Sequence, residues 1–330
     1  MYDLKSDSRV FVAGHRGLLG SAFVKSLRDL GISSILTVER SEVNLLDAGQ
    51  TLSYLNKIKP DVVINCAARV GGIRANSLFP AQFITENLLI QTNVLEASRL
   101  AGATNYVFIG SNCIYPKESE QPIKESALLM GRPEPTNEAY ALAKIAGIVQ
   151  VQSYAKQYGM KCFAAIPCSL FGPQDNFHPD FSHFLPAMIL KFHNAKTQKA
   201  SSVELWGTGK ARRELMYSMD AAQGILKLLT VAQSGEVYNL GIGDDLSIQE
   251  IAEILAEIIG FEGQFKFKAS ESDGNLRKLL DSTRSFSLGF KSKWSLVDGI
   301  TETYKWFQSS KVIRGIANSN IDETTTRGTL

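Results

Sequence analysis

The sequence predicts an α/β protein built on a doubly wound parallel sheet, followed by a smaller α/β domain. Three observations support this prediction. Short apolar segments alternate with longer amphipathic ones, a glycine-rich loop follows the first apolar segment, and unusual polar residues cluster where later apolar segments end. With 330 residues, of which 44% are hydrophobic and 21% charged, the chain can bury a core large enough for two joined domains.

The alternation is clearest in the first half of the chain. Strands are predicted at residues 10–13, 35–38, 62–65, 106–110 and 162–168. Helices are predicted between them, at residues 18–30, 48–58, 81–100 and 140–158. In a parallel sheet of this kind, ligands lie beyond the carboxyl ends of the strands, so functional residues are expected just after each strand.

Beyond residue 172 the loops become polar and the elements shorter. Strands are predicted near 203–205 and at 237–240, and helices from Asp220, at 248–259 and around 296–307. Residues 1–172 are therefore assigned to the first domain, with segments around 203–240 returning to it. Residues 173–310 are assigned mainly to the second domain, and the polar, threonine-rich residues 311–330 to a flexible tail.

Bulk composition argues against several classes of protein. The net charge of +2 comes from 35 basic and 33 acidic residues spread along the chain, so no basic field is expected for nucleic acid or a membrane surface. No apolar run approaches the roughly 20 residues that span a bilayer. The four cysteines lie at irregular spacing in apolar surroundings, which indicates reduced thiols in a cytoplasmic protein. No ligand spacing indicates a metal site.

Three glycines, Gly14, Gly17 and Gly20, lie between the first predicted strand and the first predicted helix. Glycine permits the tight turn and the close approach of backbone to a pyrophosphate, and the start of the helix offers N–H groups to its charge. In this position the loop predicts a Rossmann-type dinucleotide site.

Two arginines near this loop favour NADP(H) as the cofactor. Arg16 lies inside the loop and Arg40 just beyond the second strand, and guanidinium groups suit a 2′-phosphate. Glu39 favours NAD, because an acidic residue at this place commonly binds an unphosphorylated ribose. Alternatively, the arginines are a solvated surface pair.

A candidate catalytic group follows the fourth strand and opens the next long helix. Tyr140 and Lys144 lie four residues apart on one helix face, where the ammonium group can favour ionisation of the phenol. Ser111 ends the fourth strand at the binding edge of the sheet. Ser111 and Tyr140 can bind a carbonyl oxygen, and Tyr140 can protonate it as hydride arrives from a nicotinamide. With the glycine loop, these residues predict a short-chain dehydrogenase.

A series of motifs runs in order along most of the chain. They are Gly14-His-Arg-Gly17, Ala67-Ala-Arg-Val-Gly-Gly-Ile73, Ser111-Asn-Cys-Ile-Tyr-Pro116, Asn137-Glu-Ala-Tyr-Ala-Leu-Ala-Lys144, Gly172-Pro-Gln-Asp-Asn-Phe177, Ser182-His183, Trp206-Gly-Thr-Gly209, Arg213-Glu214, Asp273-Gly274 and Lys278-Leu-Leu-Asp281. This series resembles the GDP-L-fucose synthase family up to about Phe307. The resemblance implies epimerisation of GDP-4-keto-6-deoxy-D-mannose at carbons 3 and 5, then reduction of carbon 4 with NADPH.

The resemblance also implies roles for single residues. It makes Cys113 and His183 the base and acid of epimerisation, although by residue type alone they are equally a packed thiol and a surface or core histidine. It places Lys191, Trp206, Arg213, Asp273 and Lys278 at the GDP-sugar. Besides the loop glycines and arginines, it places Leu18, Asp47, Ala67, Lys144, Pro167, Leu170 and His183 at the cofactor. A homodimer is implied in the same way.

Several positions depart from the family pattern. Ser169 replaces an asparagine near the nicotinamide and Phe171 replaces a tyrosine, while Asn112, Arg69 and Met219 also differ from the residues common there. These differences leave open a related GDP-4-keto sugar of the heptose or colitose type, with one or both activities. A non-catalytic NADP-binding protein is a further alternative, although such a protein needs none of the five proposed catalytic residues.

Overall fold

The computed structural model describes residues 2–269 and 274–316. Its strands are β1 (Arg9–Ala13), β2 (Ser34–Leu36), β3 (Val62–Asn65), β4 (Asn105–Ile109), β5 (Lys161–Pro167), β6 (Ser169–Phe171), β7 (Ser202–Trp206), β8 (Arg212–Arg213), β9 (Leu215–Tyr217), β10 (Val237–Leu240), β11 (Leu246–Ser247), β12 (Gln264–Lys268) and β13 (Arg277–Lys278). Its α-helices are α1 (Leu18–Asp29), α2 (Ala48–Ile58), α3 (Ile73–Leu78), α4 (Pro80–Ala101), α5 (Glu138–Tyr158), α6 (Phe184–Thr197), α7 (Ser218–Val231), α8 (Ile248–Ile259), α9 (Thr283–Ser287) and α10 (Leu296–Ser309).

The central sheet has six parallel strands in the order β10-β5-β4-β3-β1-β2. Its inner strands are apolar and buried, as expected for a parallel sheet covered by helices on both faces. The register aligns Ala13 with Asn65 and Asn65 with Phe108, so neighbouring strands end at a common edge. The predicted α/β fold class is confirmed.

Strand β10 shows where the chain returns to the central sheet. It pairs in parallel with β5 at one end of the sheet, opposite Ala164 to Pro167, and α7 packs against α1. The predicted strand at 203–205 lies elsewhere, because β7 pairs with β12 in a separate two-stranded sheet. Strands β11, β8 and β13 form a third sheet, and β6 pairs with β9.

The buried carboxylate of Glu214 ties several of these later segments together. Its Oε1 accepts hydrogen bonds from the backbone N–H groups of Ile242 (2.7 Å) and Gly243 (2.9 Å), and its Oε2 from that of Leu280 (3.0 Å). A Cβ on Gly241 would lie 2.2 Å from Oε1, so this strand end requires glycine. A single carboxylate thus joins the chain after β10 to the chain after β13.

The segment 311–316, which the sequence analysis assigns to the tail, packs against the loop after β6. The N–H of Phe177 donates to the carbonyl of Arg314 (2.8 Å), while Ile313 and Ile316 pack against the core. Gly315 has a positive φ of 86°, and a Cβ there would lie 2.2 Å from Oδ1 of Asn176. The remainder of the predicted tail, residues 317–330, lies outside the described residues.

Candidate active site

The glycine loop is folded tightly at the carboxyl end of β1. Gly14 has a φ of 78°, and a Cβ there would lie 2.8 Å from the backbone nitrogen of Ala67. A Cβ on Gly20 would lie 2.1 Å from the carbonyl oxygen of Gly14. Gly17 precedes α1 without any side-chain cap, so the first N–H groups of the helix remain available to an anion. These features fit a dinucleotide pyrophosphate.

The charged residues beside the loop form a small network. Arg16, with a side chain 76% exposed, pairs with Oε1 of Glu39 at 2.7 Å, and Nε2 of His15 lies 3.2 Å from the same oxygen. Arg40 is exposed just beyond β2. The carboxylate that could bind an unphosphorylated ribose is therefore engaged by two basic side chains. Asp47 caps α2, where it accepts a hydrogen bond from the N–H of Gln50 (2.9 Å).

The other residues proposed for the cofactor follow strand ends or open α1. Ala67 lies against Gly14 just after β3, and Pro167 ends β5 opposite Leu240. Leu170 is paired with Met216 between β6 and β9. Leu18 begins α1, and its Cδ1 would lie 3.3 Å from a Cβ on Gly172.

Ser111, Tyr140 and Lys144 meet at the end of β4. Lys144 is buried, and its Nζ donates to the carbonyl of Ile109 (2.9 Å) and lies 5.8 Å from the centre of the Tyr140 ring. Burial raises the pKa of Tyr140, the nearby Cys113 raises it further, and the Ser111 hydroxyl opposes the shift through a hydrogen bond. Burial also lowers the pKa of Lys144 to about 8. The structure thus brings together the predicted carbonyl-binding pair and its cation.

Cys113 belongs to the same group of residues. It lies in a short 3₁₀ helix, Asn112–Ile114, and its N–H donates to the Ser111 hydroxyl (3.3 Å). Nδ2 of Asn137 donates to the Cys113 sulfur at 3.2 Å. Asn137 belongs to the motif that ends at Lys144, and no role was predicted for it from the sequence.

The residues that lead into α6, up to His183, pack beside the loop at Gly72, and His183 itself is exposed. The N–H of Gly72 donates to the carbonyl of Phe181 (2.8 Å), and a Cβ on Gly72 would lie 2.2 Å from the carbonyl oxygen of Ser182. Phe181 packs in the apolar cluster that contains Tyr140 and Cys113. His183 precedes α6 without capping it. The surrounding protein, and then the charge of Arg314, lower its pKa below the ordinary histidine value.

Arg314 is a second residue that the sequence analysis missed. It lies beyond the last predicted helix, in a segment assigned to the tail, and its charge also acts on the buried Asp175. The signal available in the sequence was the pair Arg314-Gly315 ahead of the threonine-rich end.

Four of the five side chains predicted to contact the GDP-sugar form two pairs in the structure. Nζ of Lys191 lies 5.3 Å from the centre of the Trp206 ring, which is 52% exposed, and donates to the carbonyl of Glu204 (3.1 Å). Partial burial lowers the pKa of Lys191. Arg213 and Lys278 are directly opposite each other on β8 and β13. Asp273 lies outside the described residues.

Two absences within residues 2–269 and 274–316 bear on other classes of function. None of their helices combines the length and hydrophobicity that crossing a membrane requires. Within the same ranges, no three histidine, cysteine or acidic side chains are grouped so that they could hold a metal ion.

The fold and this site define a dinucleotide-dependent enzyme of the extended short-chain dehydrogenase class. The family model for the NAD dependent epimerase/dehydratase family matches residues 10–241. GDP-L-fucose synthase 1 of Arabidopsis thaliana is 45% identical over 91% of this chain and 93% of its own. GDP-L-fucose synthase of Escherichia coli is 42% identical over 92% of this chain and 97% of its own. The chain therefore belongs to the NAD dependent epimerase/dehydratase family and, within it, to the GDP-L-fucose synthases.

Further relatives include enzymes named for other sugars and structures with NADP bound. GDP-L-colitose synthase of Yersinia pseudotuberculosis is 33% identical over 92% of this chain and 99% of its own. A GDP-L-fucose synthetase from Naegleria fowleri bound to NADP superposes with a TM-score of 0.84, at 29% identity over 93% of this chain and 96% of its own. A GDP-mannoheptose C4 reductase from Campylobacter jejuni with NADP bound has a TM-score of 0.85, at 33% identity over 93% of this chain and all of its own.

Proposed function

We propose that this chain converts GDP-4-keto-6-deoxy-D-mannose to GDP-L-fucose by 3,5-epimerisation and NADPH-dependent 4-reduction. One observation carries the proposal: Ser111, Cys113 and Tyr140 meet at one strand end, with Lys144 beneath them. A reductase alone needs the serine, tyrosine and lysine. The thiol in the same group adds a base able to remove a proton beside the ketone.

The two reactions share one binding site for the carbonyl oxygen. Ser111 and Tyr140 donate hydrogen bonds to the oxygen on carbon 4, so negative charge that develops there is stabilised when a neighbouring carbon loses its proton. Cys113 accepts the proton from carbon 3 or 5, and His183 returns a proton on the opposite face. In the reduction, Tyr140 gives its proton to the same oxygen, and Lys144 stabilises the phenolate. NADPH, when bound, supplies the hydride.

The residues beside the glycine loop support NADP(H) as the cofactor. Gly14, Gly17, Gly20 and Leu18 form the pyrophosphate turn, while Arg16 and Arg40 bind the 2′-phosphate. Glu39 already pairs with Arg16 and His15, which weakens the case for an unphosphorylated ribose. Ala67, Pro167, Leu170, Lys144 and His183 line the path toward the nicotinamide. Asp47, which caps α2, completes the proposed cofactor set.

The GDP moiety is bound by side chains of the later segments. The diphosphate is bound by the cations Lys191, Arg213 and Lys278. The indole of Trp206 contacts the ligand with its apolar face, and Asp273 is the fifth residue of this site. Residues 1–172 with the returning strand β10 form the cofactor domain, and 173–310 mainly the substrate domain. Free cysteines support a reducing, cytoplasmic setting.

A related GDP-4-keto sugar is the second candidate substrate. Ser169 and Phe171 lie on β6, next to Leu170, and replace an asparagine near the nicotinamide and a tyrosine that the family commonly has there. A heptose or a colitose precursor would present different substituents at this place. Activity with such a sugar, and none with the 6-deoxymannose derivative, would select this alternative.

The long helices α4 and α5 support a homodimer. They pack against each other and expose Leu89, Leu142 and Val149, each more than 40% accessible. Leu142 and Val149 lie seven residues apart, hence on one face of α5. Light scattering measures the mass in solution that this proposal requires, which is twice that of the chain.

The activity is tested with purified protein, NADPH and GDP-4-keto-6-deoxy-D-mannose. We expect stoichiometric NADPH oxidation and GDP-L-fucose as the product. In heavy water, Cys113→Ser and His183→Gln should each reduce deuterium entry at carbon 3 or 5 by roughly 100-fold or more. His193→Gln, which changes a histidine that contacts Tyr304 instead, is the matched control. Wild-type deuterium entry in both site variants would remove Cys113 and His183 from the mechanism.

A further inference from the structure

Asn137 occupies the residue immediately before α5 but does not cap the helix. Asparagine is among the preferred residues at this position, where its side chain commonly accepts a hydrogen bond from the first turn. Here it makes no such bond with α5, and its backbone has φ −134° and ψ 19°. The stabilisation that a cap provides is therefore absent.

The Asn137 amide is used toward Cys113 instead. Its Nδ2 donates to Sγ at 3.2 Å, across 24 residues of sequence. Its Oδ1 is buried and has no hydrogen-bond partner among the described residues. A buried carbonyl oxygen without a hydrogen bond is destabilising, so this orientation lowers stability in two ways.

The described groups around the Cys113 sulfur include few that can donate a hydrogen bond or a positive charge to it. Val70, Phe79 and Phe181 make the space around Cys113 largely apolar. From α5, the titratable group that interacts electrostatically with Cys113 is Tyr140, which carries no positive charge in either protonation state. Asn112, next in sequence, presents its Oδ1 at 3.9 Å from the sulfur. Of the contacts described here, the amide N–H of Asn137 is the one that donates a hydrogen bond to the sulfur.

Resting on the role proposed for Cys113, we infer that Asn137 is a positioning residue for the epimerisation base: its amide N–H stabilises the Cys113 thiolate and aims it at the substrate carbon. Asn137 and Tyr140 lie three residues apart on the first turn of α5, so one helix end delivers both groups to the sulfur. The epimerase and reductase functions are thereby built on the same turn.

The matched test is Asn137→Asp, which keeps the size of the side chain and replaces the donor with a carboxylate. Alkylation by iodoacetamide, mapped to the Cys113 peptide by mass spectrometry, reports the thiolate without any substrate. Its half-maximal pH should rise by about one to two units, because a hydrogen bond to a charged group contributes roughly 1.5–3 kcal/mol. Deuterium entry at neutral pH, measured with NADP⁺ and keto sugar in heavy water, should fall roughly 10- to 100-fold.

Three controls define the outcome. Asn137→Ala removes the donor without adding charge and should shift alkylation in the same direction. Glu138→Gln, on the same turn but paired with Arg132, should leave both measurements unchanged. NADPH affinity should match the wild type in all three variants. Unchanged alkylation in both Asn137 variants, or wild-type deuterium entry despite shifted alkylation, would overturn the inference. Cys113→Ser tests the proposed function separately. Deuterium entry depends on Cys113 acting as the epimerisation base, whereas the alkylation of Cys113 in the Asn137 variants does not.

Discussion

The phenol of Tyr140 must donate a proton from a buried position. Burial raises its pKa and lowers that of Lys144, so both side chains favour their uncharged forms more than they would in water. The arrangement still suits proton transfer, because the lysine lies below the same ring and is bound to a backbone carbonyl rather than to an acidic side chain.

Tyr140→Phe should therefore lower kcat for NADPH oxidation by roughly 100- to 10,000-fold. The phenyl ring keeps its edge contact with Phe83, so the melting temperature should stay near that of the wild type. Tyr154→Phe is the control, since that hydroxyl lies on the same helix but donates to Glu96. A Tyr140→Phe enzyme that turns over normally would show that the proton comes from another group.

Single residues differ in how far the sequence can predict them. Tyr140 and Lys144 are fixed by local helix geometry, and Ser111 and Cys113 follow a strand whose end marks the binding edge, so their meeting was predictable. Asn137 was not, because its position before a helix favours a cap and its actual partner depends on packing between distant segments. Arg314 depends on a non-local backbone contact in the same way.

At the scale of elements, the loop between β1 and α1 contains one glycine that is required for steric reasons and one that is not. Gly20 lies in the first turn of α1, directly over the carbonyl of Gly14. A Cβ on Gly17 would lie 3.4 Å from that same carbonyl oxygen, which is an ordinary contact. The two glycines therefore have different functions, since one permits the helix to pack and the other keeps its N-terminus open to phosphate.

Gly20→Ala should lower both the melting temperature and the affinity for NADPH, because its Cβ would lie 2.1 Å from the Gly14 oxygen. A loss of a few kcal/mol is typical of overpacking against backbone. Gly17→Ala should melt near the wild-type temperature while its NADPH dissociation constant, measured by fluorescence titration, rises roughly ten-fold or more. Equal melting temperatures for the two variants would contradict this distinction.

The elements that the sequence analysis missed have a shared physical reason. Helix α6 begins Phe-Leu-Pro-Ala-Met-Ile-Leu, an apolar run without helical periodicity that contains a proline. Pro186 is tolerated because the first turn of a helix has no internal partners for its N–H groups. Strands β8 and β13 have two residues each and exist through their pairing with each other across the chain. Periodicity detects long local patterns and cannot detect such non-local pairs.

At the scale of the whole molecule, the active site is closed by segments from distant parts of the chain. The loop after β6 contains Asp175, which is 6% exposed and whose Oδ2 has no hydrogen-bond partner among the described residues. Its Oδ1 accepts from the N–H of Asn176 (2.7 Å). The segment with Arg314 lies against this loop and adds a positive charge. Burial dominates, and it raises the pKa of Asp175 to about 7.

This carboxyl links stability to pH with a definite sign. In the unfolded chain an aspartate has a pKa near 3.9, so between about pH 4 and 7 the folded protein holds a proton that the unfolded chain releases. Its stabilising contribution is complete below pH 4 and is lost as the pH rises to 7, by up to about 1.4 kcal/mol per pH unit.

Asp175→Asn should therefore gain stability relative to the wild type as the pH is raised from 5 to 7.5, as measured by urea unfolding at each pH. Asp180→Asn, which changes an exposed carboxylate of the same loop paired with Arg74, should follow the wild-type profile. If the Asp175→Asn profile stays parallel to the wild type, Asp175 is ionised in the folded protein and Arg314 compensates for its burial.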